Sequence, residues 1–322
     1  MPDEIQYSRR KDDHASRRLR RGMYVLPSLF TAANVLLGYY AILQVIHGAI
    51  QYAIGIPDAW HFDNAAKAIG FAVLFDGLDG RIARMTRTTS DFGRELDSLA
   101  DVITFGIAPA VLAWAWGFHL ISPDISRQDM ATLLPRLGAV ASFLFLIAGA
   151  SRLARFNISA NPQPSNPGRP GKKYFVGLPI PAGAGVIAAA VHFQHGEPLP
   201  WWGTSLTWLC VIVLTAYLMV STWRFYNFKE INLLAPQSFR LVVVFGLLLA
   251  GILLFSGPVL LLIALTYMFS GVFWRLQWIF RRRGSPPPQT YTQASQPSRI
   301  RISKAPLSPT LIPPEASIKW RS

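Results

Sequence analysis

Long stretches without a charged residue are the feature that most constrains the fold of this chain. Between Leu241 and Phe255 no Asp, Glu, Lys or Arg occurs, and similar runs recur along most of the sequence. A helix that is apolar all round is buried or spans a membrane, and a span needs roughly 20 mostly apolar residues. The charged fraction of 15%, against about 25% in soluble domains, agrees with transmembrane spans.

We therefore predict an all-α integral membrane protein with about eight transmembrane helices. The predicted spans are 23–48, 65–84, 92–117, 136–157, 176–194, 204–221, 239–256 and 258–279. A basic arm, residues 1–22, precedes this transmembrane domain of residues 23–280. Residues 281–322 are basic, rich in Pro and Ser and poor in apolar side chains, so they are predicted to form a disordered tail.

The basic residues are distributed unevenly among the loops. Of the 31 Lys and Arg residues, 28 fall in the two terminal segments and in alternate loops. By the positive-inside rule these segments face the cytoplasm, so both termini are predicted to be cytoplasmic. A net charge of +14 would suggest nucleic acid in a soluble protein, but no recognition motif accompanies it. We predict no nucleic-acid partner and an attraction to anionic membrane lipids instead.

Four aspartates interrupt the second and third predicted spans: Asp76, Asp79, Asp97 and Asp101. An ionised side chain is costly inside a membrane and marks a functional site by default. The spacings of three and four residues place each pair on one face of a helix. Two antiparallel helices can bring the four carboxylates together, where cations must offset their repulsion. All-oxygen ligation suits hard divalent ions such as Mg²⁺, Mn²⁺ or Ca²⁺.

Small and basic residues surround the aspartates. The small ones let a ligand approach the backbone, and the arginines can bind phosphate. These residues are Gly77, Gly80, Ala83 and Gly93, and Arg81, Arg84, Arg87 and Arg94. A single aspartate pair could cap a helix or pair with arginine, but that does not account for two pairs within 26 residues. The combination suggests a lipid substrate that contains a diphosphate.

The segment from Asp76 to Arg84, followed by Gly93, Asp97 and Asp101, resembles the signature of the CDP-alcohol phosphotransferase family at every fixed position. Four further segments resemble the bacterial phosphatidylserine synthases within that family: Leu26–Asn34, Leu96–Gly106, Ser151–Asn157 and Phe175–Pro181. Two positions differ from that branch, because Ser28 stands where Asn is common and Thr104 where Ser is common. The resemblance covers about residues 20–280.

The resemblance implies a six-helix core, a homodimer, and a site for two divalent ions, Mg²⁺ or Mn²⁺, facing the cytoplasm at a bacterial inner membrane. It implies transfer of a phosphatidyl group from CDP-diacylglycerol to L-serine. The implied metal ligands are Asp76, Asp79, Asp97 and Asp101, with Asp101 also the catalytic base. The implied contacts of the CDP-lipid are Thr31, Asn34, Gly80, Ala83, Arg84, Ser90 and Gly93. The implied acceptor or phosphate pocket is formed by Arg152, Arg155 and Asn157.

Two alternatives stay open at the level of the residues. An enzyme of the same family could use another acceptor, such as glycerol 3-phosphate, inositol phosphate or choline; Arg152, Arg155 and Lys172 could bind a phosphorylated one. A cation or proton transporter would also place carboxylates in a membrane. Transporters often carry internal repeats and broken helices in both halves. The sequence shows neither feature, and its four aspartates fall in one predicted hairpin.

Overall fold

The computed structural model of this chain describes residues 29–56, 58–86, 91–120, 128–158, 174–226 and 239–281. Eight helices and two short strands make up this part of the chain. The helices are α1 (Leu29–Ala53), α2 (Trp60–Thr86), α3 (from Asp91–Asp101 through Ala115–His119), α4 (Gln128–Ile158), α5 (Ile180–Phe193), α6 (Trp202–Val220), α7 (Phe239–Leu254) and α8 (Ser256–Arg281). The strands are β1 (Tyr174–Val176) and β2 (Arg224–Tyr226).

Each predicted span corresponds to one of these helices, and the predicted fold class, a helical membrane protein, is confirmed. Five helices of the described part are long and apolar enough to cross a membrane: α1, α3, α4, α6 and α8. Helices α5 and α7 have 14 and 16 residues, fewer than the roughly 20 of a full span. Residues 23–28 of the first predicted span lie outside the described residues.

The predicted start of the fifth span, at residue 176, is wrong. Tyr174–Val176 forms β1, which pairs antiparallel with β2. Gly177 follows with a φ of 76°, which favours glycine, and Pro179 precedes the first helical residue, Ile180. Three residues of strand are too few to show the alternation by which a sequence reveals a strand, and only the last of them, Val176, falls within the predicted span.

Small residues allow the helices to pack closely. Helix α4 packs along α6, and α2 packs along α5. A Cβ atom at Gly149 would lie 2.6 Å from the Ile180 Cδ1 atom, and one at Gly183 would lie 2.0 Å from the Met219 Cε atom. These glycines make room for side chains of the neighbouring helices, and small residues at helix contacts are typical of packing in membranes. The outer faces are apolar and exposed, as at Leu247 of α7, which suits contact with lipid.

Helix α3 changes its geometry immediately after Asp101. Val102–Ile107 and Ala115–His119 form wider, π-helical turns, and the Ala108 N–H donates to the Ile103 carbonyl, five residues back. Single π-helical turns inside α-helices occur frequently at functional sites. The change therefore lies directly beside one of the predicted metal ligands.

A polar network that the sequence did not predict ties α2, α5 and α8 together. His192 Nδ1 is hydrogen-bonded to Asp63 Oδ1, and His192 Nε2 lies 2.9 Å from Ser256 Oγ. Lys67 Nζ pairs with Asp63 Oδ2 at 2.7 Å. The network lies about 20 Å along α2 from Asp76, at 1.5 Å per residue. It therefore holds these helices together at a distance from the four aspartates predicted as metal ligands.

The described elements up to Phe280 belong to one compact unit, and Arg281, the last residue of α8, lies beyond it. The arm, residues 1–22, and residues 282–322 of the tail lie outside the described residues. The predicted division of the chain at these points stays a prediction.

Candidate active site

Three of the four predicted aspartates meet between α2 and α3. Asp76, Asp97 and Asp101 each offer one carboxylate oxygen, and these three oxygens lie within 4.8 Å of one another. Asp97 and Asp101 share a face because α3 is α-helical up to Asp101 and residues four apart are neighbours on a helix. Asp79 lies on α2, but its side chain is outside the described residues. We call Asp76, Asp97 and Asp101 the carboxylate cluster.

The carboxylate cluster fits a divalent cation. Oxygen ligands at about 2.1 Å from one Mg²⁺ lie about 3 to 4.2 Å apart, and those of the larger Ca²⁺ lie somewhat farther apart. Asp101 is 9% exposed, and Asp76 and Asp97 are half-buried. Carboxylates this close and this poorly hydrated repel one another unless positive charge lies among them. The donor set is the one that hard ions prefer.

A buried arginine lies beside the carboxylate cluster. Arg152, near the end of α4, is 8% exposed, and its guanidinium interacts electrostatically with Tyr267, Arg155 and Asp101. Its Nε atom has no hydrogen-bond partner within the described part of the chain. Because burial of a charge is costly unless the charge is paired, this arginine is well suited to bind an anionic ligand.

Arg155, three residues further along α4, caps the end of α6. Its Nη1 atom donates to the Val220 carbonyl at 3.1 Å and its Nη2 atom to the Ser221 carbonyl at 3.5 Å. A cation is favourable at the C-terminus of a helix, where carbonyl groups lack helical partners. The structure thus gives Arg155 a contact with the backbone, and its predicted role in the acceptor pocket stays a prediction.

Asn157 connects the end of α4 to the helix that carries two of the aspartates. Its Nδ2 atom donates to Ser98 Oγ at 2.9 Å, and Ser98 Oγ donates to the Arg94 carbonyl at 3.0 Å. Ser98 lies between Asp97 and Asp101 in the sequence. The predicted pocket residue Asn157 is therefore held next to the turn of α3 that presents both carboxylates.

Helix α1 contributes two buried polar residues. Thr31 is 5% exposed and Asn34 is 3% exposed. The Asn34 carbonyl accepts a hydrogen bond from Thr104 Oγ1 at 3.0 Å, and Asn34 Oδ1 has no hydrogen-bond partner among the residues described. Since Thr104 follows Asp101 by three residues, this part of α1 lies against α3 next to the carboxylate cluster.

A family model described as CDP-alcohol phosphatidyltransferase matches residues 24–207, a segment that contains the carboxylate cluster. The chain belongs to the CDP-alcohol phosphatidyltransferase family. It is 39% identical over 217 residues to a Helicobacter pylori protein named CDP-diacylglycerol–serine O-phosphatidyltransferase, an alignment that covers 65% of this chain and 75% of the relative.

Two further relatives carry the same name. The Mycobacterium leprae protein is 31% identical over 253 residues, which are 76% of this chain and 73% of that protein. The Bacillus subtilis protein is 30% identical over 208 residues, which are 65% of this chain and 93% of that protein. The family resemblance inferred from the sequence is thereby confirmed.

Because the chain belongs to the CDP-alcohol phosphatidyltransferase family, the prediction of a transferase is confirmed and the transporter alternative is excluded. Enzymes of this family generally depend on a divalent metal, which agrees with the carboxylate cluster. Among the predicted CDP-lipid contacts, Gly93 lies half-buried in the first turns of α3. Gly80, Ala83 and Arg84 lie on α2 with side chains outside the described residues, and Ser90 lies outside them altogether.

Two residues at this end of the phosphatidyltransferase were not predicted as site residues. Tyr267 on α8 interacts electrostatically with Arg152. Arg224 on β2 is 5% exposed, and its Cζ atom lies 3.7 Å from the Tyr174 ring centroid and 4.9 Å from that of Trp274. Both lie beyond residue 207, where the family match ends. Arginines also mark the cytoplasmic ends of spans, so Arg224 enters the sequence analysis only through the positive-inside pattern, and no motif marks Tyr267 within its apolar span.

Proposed function

We propose that this chain transfers a phosphatidyl group from CDP-diacylglycerol to L-serine and releases CMP. The observation that carries the proposal is the carboxylate cluster in a chain of this family. The relatives named as serine O-phosphatidyltransferases align with at least 65% of the chain, which supports serine as the acceptor.

Two divalent ions, Mg²⁺ or Mn²⁺, would be held by four aspartates, namely Asp76, Asp79, Asp97 and Asp101. When bound, the ions would supply positive charge that offsets the charge developing on the CMP leaving group. The residues proposed to hold the CDP-lipid are Thr31, Asn34, Gly80, Ala83, Arg84, Ser90 and Gly93. Buried Thr31 and Asn34 support this assignment on the α1 side.

Asp101 would take the proton of the serine hydroxyl. A neutral hydroxyl is a weak nucleophile near pH 7 and needs an adjacent base or a metal. The hydroxyl oxygen then forms a bond to the phosphorus on the lipid side of the diphosphate. The bond from that phosphorus to the bridging oxygen breaks, and CMP leaves. The burial of Asp101 beside Asp97 supports this role.

Arg152 would bind the carboxylate of serine, with Arg155 and Asn157 completing the pocket. One buried guanidinium suits a singly charged carboxylate. Glycerol 3-phosphate and inositol phosphate carry more negative charge, whereas Arg155 already donates to two carbonyls of the α6 end. Choline has no anionic group for Arg152 to bind. The charge of the pocket therefore favours serine.

The acceptor is tested by CMP release from CDP-diacylglycerol by the purified protein in detergent. Parallel reactions contain L-serine, glycerol 3-phosphate, inositol phosphate, choline or no acceptor. We expect rapid CMP release with L-serine alone. Release that depends on one of the other acceptors, without release in the presence of serine, would overturn the proposal.

We also propose a homodimer in a bacterial inner membrane with both termini and the active site in the cytoplasm. The concentration of 28 of 31 basic residues in the termini and alternate loops supports this orientation. Reporter fusions at Arg283 and within residues 194–203 should report opposite sides of the membrane. Fusions reporting the same side would contradict the orientation, and a monomeric mass in detergent would contradict the dimer.

A further inference from the structure

Helices α1 and α3 approach each other closely at Gly38 and Thr104. A Cβ atom at Gly38 would lie 2.7 Å from Thr104 Oγ1 and 2.8 Å from Thr104 Cα. Thr104 is fully buried. Glycine on α1 therefore allows the backbone of α3, rather than only a side chain, to touch α1 at this point.

The Thr104 hydroxyl connects the two helices at the same place. It donates to the Asn34 carbonyl at 3.0 Å. In an α-helix that carbonyl also accepts from the N–H four residues later, here that of Gly38, and its second lone pair allows a second bond. The hydroxyl thus bonds to a backbone acceptor that is present whenever α1 is helical. Whether the bond forms therefore depends on how α3 lies against α1.

Thr104 lies in the first wide turn of α3, directly after the carboxylates. The α-helical part ends at Asp101, and the π-helical turn is Val102–Ile107. Because π-helical turns are rare inside α-helices, we attribute this one to the contacts that α3 makes with its neighbours. The place where the wide turn begins sets the rotation of Asp97 and Asp101 relative to the rest of α3.

We propose that Thr104 is a positioning residue for the carboxylate cluster. Its bond to the Asn34 carbonyl fixes the π-helical turn against α1 and so holds Asp97 and Asp101 opposite Asp76. The inference rests on the proposed metal site, and Thr104 acts on that site through α3. Its hydroxyl supplies the bond, and its Cα and Cβ atoms pack against Gly38.

The test compares three variants by their response to Mn²⁺ without substrate. Thr104→Val keeps the shape and removes the hydroxyl, whereas Thr104→Ser keeps the hydroxyl. Thr215→Val is the matched control, because Thr215 is also fully buried and its hydroxyl donates to the Val211 carbonyl of its own helix at 2.7 Å, with the Met268 sulfur of α8 at 3.6 Å. The readout is the Mn²⁺ concentration that gives half of the metal-induced rise in thermal midpoint of the detergent-purified protein.

We expect Thr104→Val to need about ten-fold more Mn²⁺ than the wild type and Thr104→Ser to stay within about two-fold, on the scale of residues that orient metal ligands. Thr215→Val should lower the midpoint and leave the Mn²⁺ concentration unchanged. A normal Mn²⁺ response of Thr104→Val, with only a lower midpoint, would overturn the inference. So would a Thr104→Ser protein as impaired as Thr104→Val.

A fourth variant covers the case in which Thr104→Val does not fold. Thr104→Cys retains a small side chain with a weak donor, so its Mn²⁺ requirement should exceed that of Thr104→Ser; equal requirements would overturn the inference. The measurement contains no acceptor and is unaffected if serine is not the substrate. A wild-type protein without any Mn²⁺-induced shift would overturn the proposed metal site and the role of Thr104 together.

Discussion

A carboxylate oxygen of Asp76 on α2 and one of Asp101 on α3 lie within 4.8 Å of each other. The two residues are 25 positions apart in the sequence and lie on neighbouring helices. Such a pair, joined by Asp97, requires positive charge between the helices. The site is therefore expected to respond to metal both in its activity and in its stability.

Removal of divalent ions should abolish CMP release. Exhaustive chelation leaves the carboxylate cluster without the charge that offsets its repulsion, so we also expect a lower thermal midpoint. Added Mg²⁺ or Mn²⁺ should restore both. The measurement is CMP release and thermal denaturation of the same chelated sample, and full turnover after complete chelation would contradict the two-metal site.

Replacement of Arg152 should impair the use of serine. Arg152→Gln removes the buried charge beside Asp101, and the loss of a hydrogen bond to a charged group should raise the KM for serine about ten-fold or more. The KM for CDP-diacylglycerol should change much less. Arg152→Lys keeps the charge but not the planar group and should be intermediate. An unchanged KM for serine in Arg152→Gln would remove this residue from the acceptor pocket.

Replacement of Arg155 should act mainly on stability. Arg155→Gln loses the bonds from Nη1 to the Val220 carbonyl and from Nη2 to the Ser221 carbonyl, a cost of about 1–3 kcal/mol. We expect a lower thermal midpoint and a smaller change in the KM for serine than in Arg152→Gln. A KM change as large as that of Arg152→Gln, with an unchanged midpoint, would show direct contact with the acceptor.

Gly177→Ala should destabilise the junction between β1 and α5. The φ of 76° costs a residue with a side chain about 1–3 kcal/mol, and the new Cβ would lie 2.4 Å from the Met219 carbonyl oxygen. Gly185→Ala on α5 is the control, because its Cβ would have no neighbour within 4 Å. Equal thermal midpoints for the two variants would contradict this account of the junction.

The network of Asp63, Lys67, His192 and Ser256, far from the carboxylate cluster, should contribute to stability and not to catalysis. Asp63→Asn weakens the contact with buried His192 and should cost about 1–3 kcal/mol. Lys67→Gln removes only the half-exposed end of the network and should cost about 1 kcal/mol or less. Thermal midpoints and CMP release per folded molecule test both variants. A large loss of turnover in Asp63→Asn at unchanged stability would contradict the assignment.

The helices and the aspartate positions could be predicted because each depends on a local pattern. Uncharged runs identify the spans, and spacings of three or four residues place Asp97 and Asp101 on one face whatever surrounds them. The meeting of Asp76 with that pair was predicted from a short loop between two helices. Local spacing and one short connection therefore account for these predictions.

Other features depend on contacts between distant segments. Gly177 adopts its φ of 76° directly after β1, which pairs with β2, a strand about 50 residues later in the chain. The bond from Arg155 to the Val220 carbonyl joins residues 65 positions apart, and that between His192 and Asp63 joins residues 129 apart. The wide turn after Asp101 departs from the regular α-helix that an apolar span predicts. These features follow from packing, which a local pattern does not record.

The measurement that tests the central claim most directly compares Asp101→Asn with Asp76→Ala. Both proteins are purified in detergent and assayed for binding of CDP-diacylglycerol and for turnover with serine. Asp101→Asn keeps the shape and removes the base, so we predict a fall in rate of at least about 100-fold, with binding of CDP-diacylglycerol largely retained. Asp76→Ala should lose both binding and turnover, because it removes a metal ligand. Turnover of serine by Asp101→Asn at nearly the wild-type rate would contradict the account.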